Sequence, residues 1–368
     1  MEYQLLQALR WNDLPEVKPN PLNNMKLSVI LPTFNQEKYL SRCLDSLIDQ
    51  GLSSNDYEII IVNDGSTDNT VAIAESYMNS FEQIRLLNKK NGGAGAARNA
   101  GLKEAKGRYL HFVDPDDYIA SNVYPVLLHE AENNMLEILG FGFEKTKKTD
   151  LKQSRTDLNK NNLKTRVSSG PEFLARTNYR NTVWWYLISK SFMLENGFEF
   201  IEGRWMEDSI LTPKMFMQTK RFGYIKIDVY RYMVNPNSAM TSKKPEHYNK
   251  LISDIEHATF EFDELLDNIP KNDKLFAQCW QRIKVRQQSF VFFLLVRLMK
   301  SNLPIDTIPE KLSKFKDIQA YPLDYFGGKD FEGPAYKILT YIFNRKQLMY
   351  PFMNLFRLVY KPIYRIRS

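Results

Sequence analysis

The stretch RYLHFVDPDDY, residues 108–118, decides the reading of this chain. Tyr109, Leu110, Phe112 and Val113 are strand formers. Asp114, Asp116 and Asp117 follow at once, with Pro115 between them. A proline has no N–H to give a sheet ladder, so the strand closes at the acids. Three carboxylates this close repel one another. A hard divalent cation, Mg²⁺ or Mn²⁺, takes oxygen ligands and removes that repulsion. Magnesium typically binds one or two carboxylates and leaves its other positions to water and phosphates. The functional reading is a metal that carries a diphosphate. A solvated acidic turn with a helix N-cap would use the same residues.

Working outward, the preceding sequence alternates strand and helix. Residues 26–32, KLSVILP, read as a first strand and 35–50 as a helix, with Tyr39, Leu40, Cys43, Leu44, Leu47 and Ile48 at helical spacing before Gly51. Residues 57–62, YEIIIV, are apolar on both faces, as in a covered parallel sheet. A helix capped by Thr67 or Asp68, a short strand at 84–87 and a glycine-rich turn opening a further helix lead to 108–113. This rhythm predicts a doubly wound, mostly parallel α/β sheet of Rossmann-like type with right-handed crossovers. Ligands bind such sheets at the carboxyl ends of the strands. Four polar clusters fall there: 33–35, 63–68, 91–98 and 114–117.

Beyond Asp117 the rhythm changes. Helices are expected at 123–133, 170–177 and 207–218, and strands at 136–143, 183–188 and 222–232. Residues 145–164 are charged and aperiodic and read as a mobile loop. From 245 onward the chain reads as helical, at 247–266, 274–299 and 334–343. The expected organisation is an extension at 1–24 with one short helix, an α/β unit at 25–240 (nucleotide half 25–118, acceptor half 119–240), a helical region at 241–344 and a basic tail at 345–368.

The chain has 368 residues, 43% hydrophobic, enough for a sizeable core. Cys43 and Cys279 give neither a disulfide framework nor metal-ligand spacing, which suits a reducing compartment. Residues 1–24 are polar and proline-containing, unlike a secretory signal, and no apolar run reaches the ~18 residues of a spanning helix. The net charge is +7, and residues 345–368 alone carry six cations and no acid, leaving +1 on residues 1–344. A nucleic-acid-binding core would need a basic face on the fold itself. The balance therefore argues against nucleic acid.

In this order, SVILPTFNQEKYL, IIIVNDGSTDNT, NGGAGAARNAGL and RYLHFVDPDD resemble the family-2 inverting nucleotide-sugar glycosyltransferases of the GT-A fold. The resemblance covers residues 26–117 and continues more weakly through WMEDSIL at 205–211 and YRYMVNPNSAM at 230–240. It implies transfer of a sugar from a nucleotide diphosphate, a UDP-sugar in the first instance, to an acceptor hydroxyl with inversion at the anomeric carbon. Thr33, Phe34, Asn35 and Glu37 then lie where base and ribose run along the sheet edge. Asp64, with Gly65 and Ser66, is expected on the uracil N–H or a ribose hydroxyl. Asp68 reads as the cap of the next helix. Asn91 and Gly92 open the glycine-rich turn, where backbone approaches a ligand closely. Arg98, at the unfavourable end of a helix dipole, needs an anion, either the diphosphate or Asp114. Asp114 is implied near the ribose and Asp116 on the metal; Asp117 contacts metal or donor sugar, and the principal ligand is left open.

The acceptor hydroxyl must also lose a proton. Glu207 and Asp208 open a helix behind Trp205. By analogy Asp208 is the base and Glu207 its support, although acids there also stabilise a helix dipole. Trp184, Trp185 and Trp205 suit either sugar stacking or core packing. Arg231 and Ser238 fall where related enzymes close a loop over the diphosphate, and His247 reads as surface. In the tail, Phe352, Phe356, Tyr360 and Tyr364 recur every fourth residue among the cations, with Pro362 set to kink or end the helix. This suits a peripheral site on an anionic membrane, on the cytoplasmic face, with a glycan or lipid-linked acceptor; a stripe packed on the helical half with its cations solvated would use the same residues. A dinucleotide oxidoreductase is disfavoured because no G-x-G-x-x-G opens the first helix. A scaffold relative without turnover is the remaining alternative.

Overall fold

The computed structural model describes residues 25–158, 163–234, 245–270, 273–301 and 303–365. The expected 1–24 extension and Ser238 lie outside them. The first half forms as the rhythm dictates. Strand β1 (Leu27–Thr33), α1 (Leu40–Ile48), β2 (Tyr57–Asn63), α2 (Thr70–Ser80), β3 (Ile84–Asn88), α3 (Gly93–Glu104) and β4 (Tyr109–Phe112) follow one another. Every residue of β2 is buried, which explains its lack of polar alternation. Helix α1 buries Leu40, Cys43, Leu44 and Leu47, one face at i, i+3, i+4 and i+7.

The strands lie in the order β3-β2-β1-β4, all parallel. The chain therefore moves outward from β1 to β3 and then crosses back to place β4 on the other side of β1. That reversal makes a topological switch point, and the crevice at the carboxyl ends of β1 and β4 is where such sheets take ligands. Thr33 ends β1, and Asp114 follows β4 by two residues.

Past β4 the sheet continues through strands from the second half. These are β5 (Tyr118–Ile119), β6 (Ile138–Thr146), β7 (Arg166–Ser168), β8 (Tyr186–Ser189) and β9 (Phe222–Met233). The sheet has nine strands, and the order runs on as β8-β6-β9-β5, with β7 on β9. Here β8 pairs antiparallel with both β4 and β6, β6 and β9 are parallel, and β5 and β7 are antiparallel to β9. Helices α4 (Tyr124–Asn133), α5 (Gly170–Arg176), α6 (Lys190–Glu195) and α7 (Glu207–Gln218) complete this half. Periodicity does not announce six-residue α6. It forms because Ser189 accepts the Phe192 N–H as an N-cap.

Two expectations need correction here. The described part of residues 145–164 is tied down: β6 runs to Thr146, and Arg231 donates to the carbonyls of Leu151 and Gln153. The tail is not a separate appendage. Helices α8 (Pro245–Asp267), α9 (Lys274–Lys300), α10 (Ile308–Asp317), α11 (Pro334–Phe343) and α12 (Lys346–Arg365) build a second hydrophobic core. Met349 and Met353 of α12 are fully buried in it, and Phe352 and Phe356 pack against it. Helix α12 also runs through Pro362 instead of ending there. The aromatic stripe of the tail thus begins on the core side of its helix. Tyr360 and Tyr364 have side chains outside the described residues.

Candidate active site

The donor edge is a set of loops that hold one another. Asn35, in the left-handed region at φ 52°, accepts the Thr67 N–H, and its own N–H donates to the Ser66 hydroxyl. Asn tolerates that backbone better than most residues. Glu37 accepts from the Asn69 backbone and side-chain nitrogens, both at 3.1 Å. The N-cap of α2 is Asn69, not Asp68, which accepts the Thr70 N–H at 3.0 Å and the Glu37 N–H at 3.2 Å from one residue earlier. Thr33 is buried and donates to the Leu31 carbonyl, whereas Phe34 is 45% exposed. Of this group, Phe34 alone offers a free ring to a planar base.

Asp64 sits at the centre. Its Oδ1 accepts from Lys89 Nζ at 2.7 Å and from the Gly92 N–H at 2.9 Å, and its Oδ2 accepts the Gly93 N–H at 2.7 Å. A carboxylate has about four acceptor positions, so about one remains for a ligand N–H. Gly65 takes φ +79°, and a side chain there would meet the Asn91 backbone at 3.2 Å. Asn91 itself donates to the Asp64 carbonyl.

Arg98 joins the two halves of the site. It lies in the second turn of α3, not the first, and is 5% exposed. One nitrogen donates to Asp114 Oδ1 at 2.9 Å and another pairs with Glu207 at the start of α7. Gly95 lets α3 come this close, since a Cβ there would stand 2.3 Å from the Ile201 carbonyl oxygen. Burial alone would lower the Arg98 pKa, but Glu207, Asp114 and Asp208 outweigh it and push it up. The anion that Arg98 requires is therefore supplied by protein carboxylates, Asp114 among them.

Met206, just before Glu207, is left-handed at φ 68°. Such a backbone costs a non-glycine residue on the order of 1–3 kcal/mol and persists only where surroundings over-determine it. Here α8 supplies the restraint. Asp254 is buried and accepts from Arg204 at 3.1 Å, the Trp205 N–H at 3.0 Å and Lys250 at 3.1 Å. Trp205 packs against His247, ring centroids 4.4 Å apart, so His247 is a half-buried packing residue and not simply surface. Burial first, then the Glu207 carboxylate, push Asp208 up to about 7 against the pull of Arg98. A base titrating near neutrality is what proton abstraction from a hydroxyl calls for.

Residues 28–196 match the family model "Glycosyl transferase family 2". The chain is 31% identical over 255 residues to the glycosyltransferase YibD of Escherichia coli K12, covering 67% of this chain and 72% of that one. The chain belongs to glycosyl transferase family 2. It is also 36% identical over 219 residues to the glycosyltransferase EpsJ of Bacillus subtilis 168, covering 58% of this chain and 62% of EpsJ. TarS of Staphylococcus aureus, a poly(ribitol-phosphate) β-N-acetylglucosaminyltransferase, is 28% identical over 56% of this chain and 35% of its own length. The match thus spans under two thirds of EpsJ and about a third of TarS. The crystal structure of TarS 1–349 with UDP-GlcNAc superposes with a TM-score of 0.57 at 21% identity, covering 80% of this chain and 81% of that one. This likeness shows the fold, the GT-A type.

Several expected ligand contacts of this family-2 chain need revision. Arg231 is fully buried in β9, with its guanidinium on Leu151 O, Gln153 O and Asp228. It braces the 151–153 segment, and its full burial turns it away from any diphosphate at the sheet edge. Trp184 stacks on Tyr230 at 4.5 Å, and Trp185 lies within the Phe173, Phe216 and Phe222 cluster. Both are core residues.

The three acids after β4 also diverge. Asp114 turns to Arg98, while Asp117 is 2% exposed and accepts the Met233 N–H at 2.7 Å. No three metal-ligating side chains converge among the described residues. With Asp117 engaged by backbone, Asp114 and Asp116 remain as the candidate set for a metal. That set fits a hard cation that takes one or two carboxylates and fills its shell with water and phosphate oxygens. Burial, then Asp116 and Asp114, push Asp117 up to about 9.

Sequence reasoning missed Lys89 and Asp254. Lys89 was hidden in a loop, and its pairing with Asp64 spans 25 residues. Asp254 sits on an ordinary amphipathic helix, with no local signal of its partners 49 and 50 residues away.

Proposed function

We propose that this chain is a metal-dependent, inverting glycosyltransferase of the hexosyl type. It moves a sugar from a nucleotide diphosphate, in the first instance a UDP-sugar, to a hydroxyl of a glycan acceptor. The observation that carries this reading is the Asp114–Arg98–Glu207 bridge, which sets the acids of α7 beside the end of β4 at the switch point. Asp64, Phe34, Asn35 and Ser66 line the edge for the nucleoside. Asp116, with Asp114, would hold Mn²⁺ or Mg²⁺, which supplies charge neutralisation to the departing diphosphate.

The chain's own residues then account for the remaining chemistry. Asp208, ionised above about pH 7, accepts the proton of the acceptor hydroxyl as its oxygen bonds to the anomeric carbon. The bond to the diphosphate breaks with its electron pair, and UDP leaves. A single displacement inverts the configuration. Arg98 pairs with Glu207 and holds it next to Asp208. A second reading, a donor-binding relative without turnover, would leave Glu207 and Asp208 as mere helix-dipole acids. The left-handed Met206 held beside them favours the catalytic one.

UDP-GlcNAc in the TarS structure supports a uridine donor as the first to test. The relatives' names support an acceptor in a surface polymer, which we take to be glycan or lipid-linked, with the enzyme working peripherally on an anionic membrane at its cytoplasmic face through its basic C-terminal segment. The test is a panel of UDP-sugars read by metal-dependent thermal stabilisation and UDP release. A donor that stabilises the chain and releases UDP with Mn²⁺ or Mg²⁺ is expected. Stabilisation by UDP-sugars with no release towards any glycan acceptor would favour the scaffold reading.

A further inference from the structure

Helices α11 and α12 carry two faces of different character. Phe343, Met349 and Met353 are fully buried against α9 and its neighbours. On the other side Leu348 is 41%, Leu355 62%, Leu358 74% and Val359 57% exposed, with Ile338 and Tyr341 of α11 at 58% and 55%. At about 100° per residue, the four α12 residues fall within an arc of roughly 100°. They are a continuous outward stripe, not scattered apolar residues. Lys337, Arg345 and Lys346 are exposed beside them. From Gly333 to Ser368 the sequence holds seven cations and no acid.

We infer that this outward face of α12, extended by Ile338 and Tyr341, is the surface on which the protein docks to an anionic lipid bilayer. The inference deepens the membrane reading above and rests on it, but it assigns different residues: the leucines and Val359 meet lipid, while Phe352 and Phe356 serve the core. Charge selects the occupant. Two copies of a face flanked by the exposed Lys337, Arg345 and Lys346, in a segment whose sequence holds no acid, repel each other, whereas phosphatidylglycerol-type headgroups complement it. No described helix is long and apolar enough to cross a membrane. Helix α12 instead has the make-up of one that lies in the headgroup plane, apolar side down and cations on the lipid phosphates. Arg357 donates to the carbonyls of Leu298 and Leu303 and so anchors the docking helix to the body.

The experiment is co-sedimentation of the full chain with phosphatidylcholine vesicles, with and without phosphatidylglycerol. The wild type is expected to bind the anionic vesicles only, less as salt rises. Leu355→Ser with Leu358→Ser should weaken binding on the order of tenfold or more while UDP release and the melting temperature stay unchanged. If that double variant unfolds, Lys337→Gln with Lys346→Gln reads the same face and should also weaken anionic binding. A wild type that ignores anionic vesicles overturns the membrane reading and leaves glycosyl transfer standing. Binding undiminished in the leucine variant places the contact elsewhere and overturns the face. A dimer in light scattering that the same leucine changes dissolve assigns the face to a second copy.

Discussion

At the residue scale, the acids after β4 have separate fates, and their variants should separate too. Asp116→Asn is expected to abolish Mn²⁺- or Mg²⁺-supported turnover with the fold retained. Asp117→Asn should cost much less, because Asp117 is spent on the Met233 N–H. Equal losses in metal-titrated rates would return Asp117 to the metal. In the proposed reading Asp208 lies on the acceptor side. Its raised pKa fixes the sign of the pH dependence: the carboxylate is protonated and inactive well below about 7 and becomes a base above it. The transfer rate should therefore climb through neutrality and level off, and a rate falling over that range would remove Asp208 from the role. As candidates, Asp64, Asp114, Asp116 and Asp208 came from residue types and spacing. They could not show Arg231 turned inward, because a side chain in an alternating strand can serve either face until its partners are known.

At the element scale, the parallel half was legible because each strand and helix there carries its own period and stop signal. The antiparallel half was legible only as pieces. Helix α7 was readable at Glu207–Gln218, yet nothing local says that β8 lies between β4 and β6, a pairing between residues about 80 apart in sequence. The helical region likewise looked like an annex, whereas α8 clamps the 204–206 loop that leads into Glu207 and Asp208. Asp254→Ala should leave the Trp205 N–H without its acceptor, at a cost on the order of 1–3 kcal/mol, while Arg204, 39% exposed, turns to water. We expect a lower melting temperature and a kcat reduced more than tenfold, with donor Kd within about twofold, because a small misplacement of a base is costly. A loss of stability with kcat unchanged would make the clamp purely structural.

At the scale of the whole molecule, one sheet carries the proposed donor edge, and a helical second core both holds the 204–206 loop and ends in a basic, apolar-faced helix. The tail's charge was visible in composition, but the direction of its apolar residues depended on what α9 offered them. Removing residues 345–368 takes the fully buried Met349 and Met353 from the core. Burying one such side chain is worth about 1.5–3 kcal/mol. The truncated chain should therefore melt several degrees lower. A truncation as stable as the full chain would make α12 a loose extension after all.

The central claim is that donor binding and transfer are divided between the end of β4 and the start of α7. Its most direct measurement is UDP release to a glycan acceptor, set beside Mn²⁺-supported UDP binding by calorimetry, for the wild type and Asp208→Asn. Loss of a general base costs about 10²–10⁴-fold, so the variant should bind UDP as the wild type does while its transfer rate falls by that factor. Weakened UDP binding with an unchanged transfer rate would place Asp208 on the donor and contradict the account.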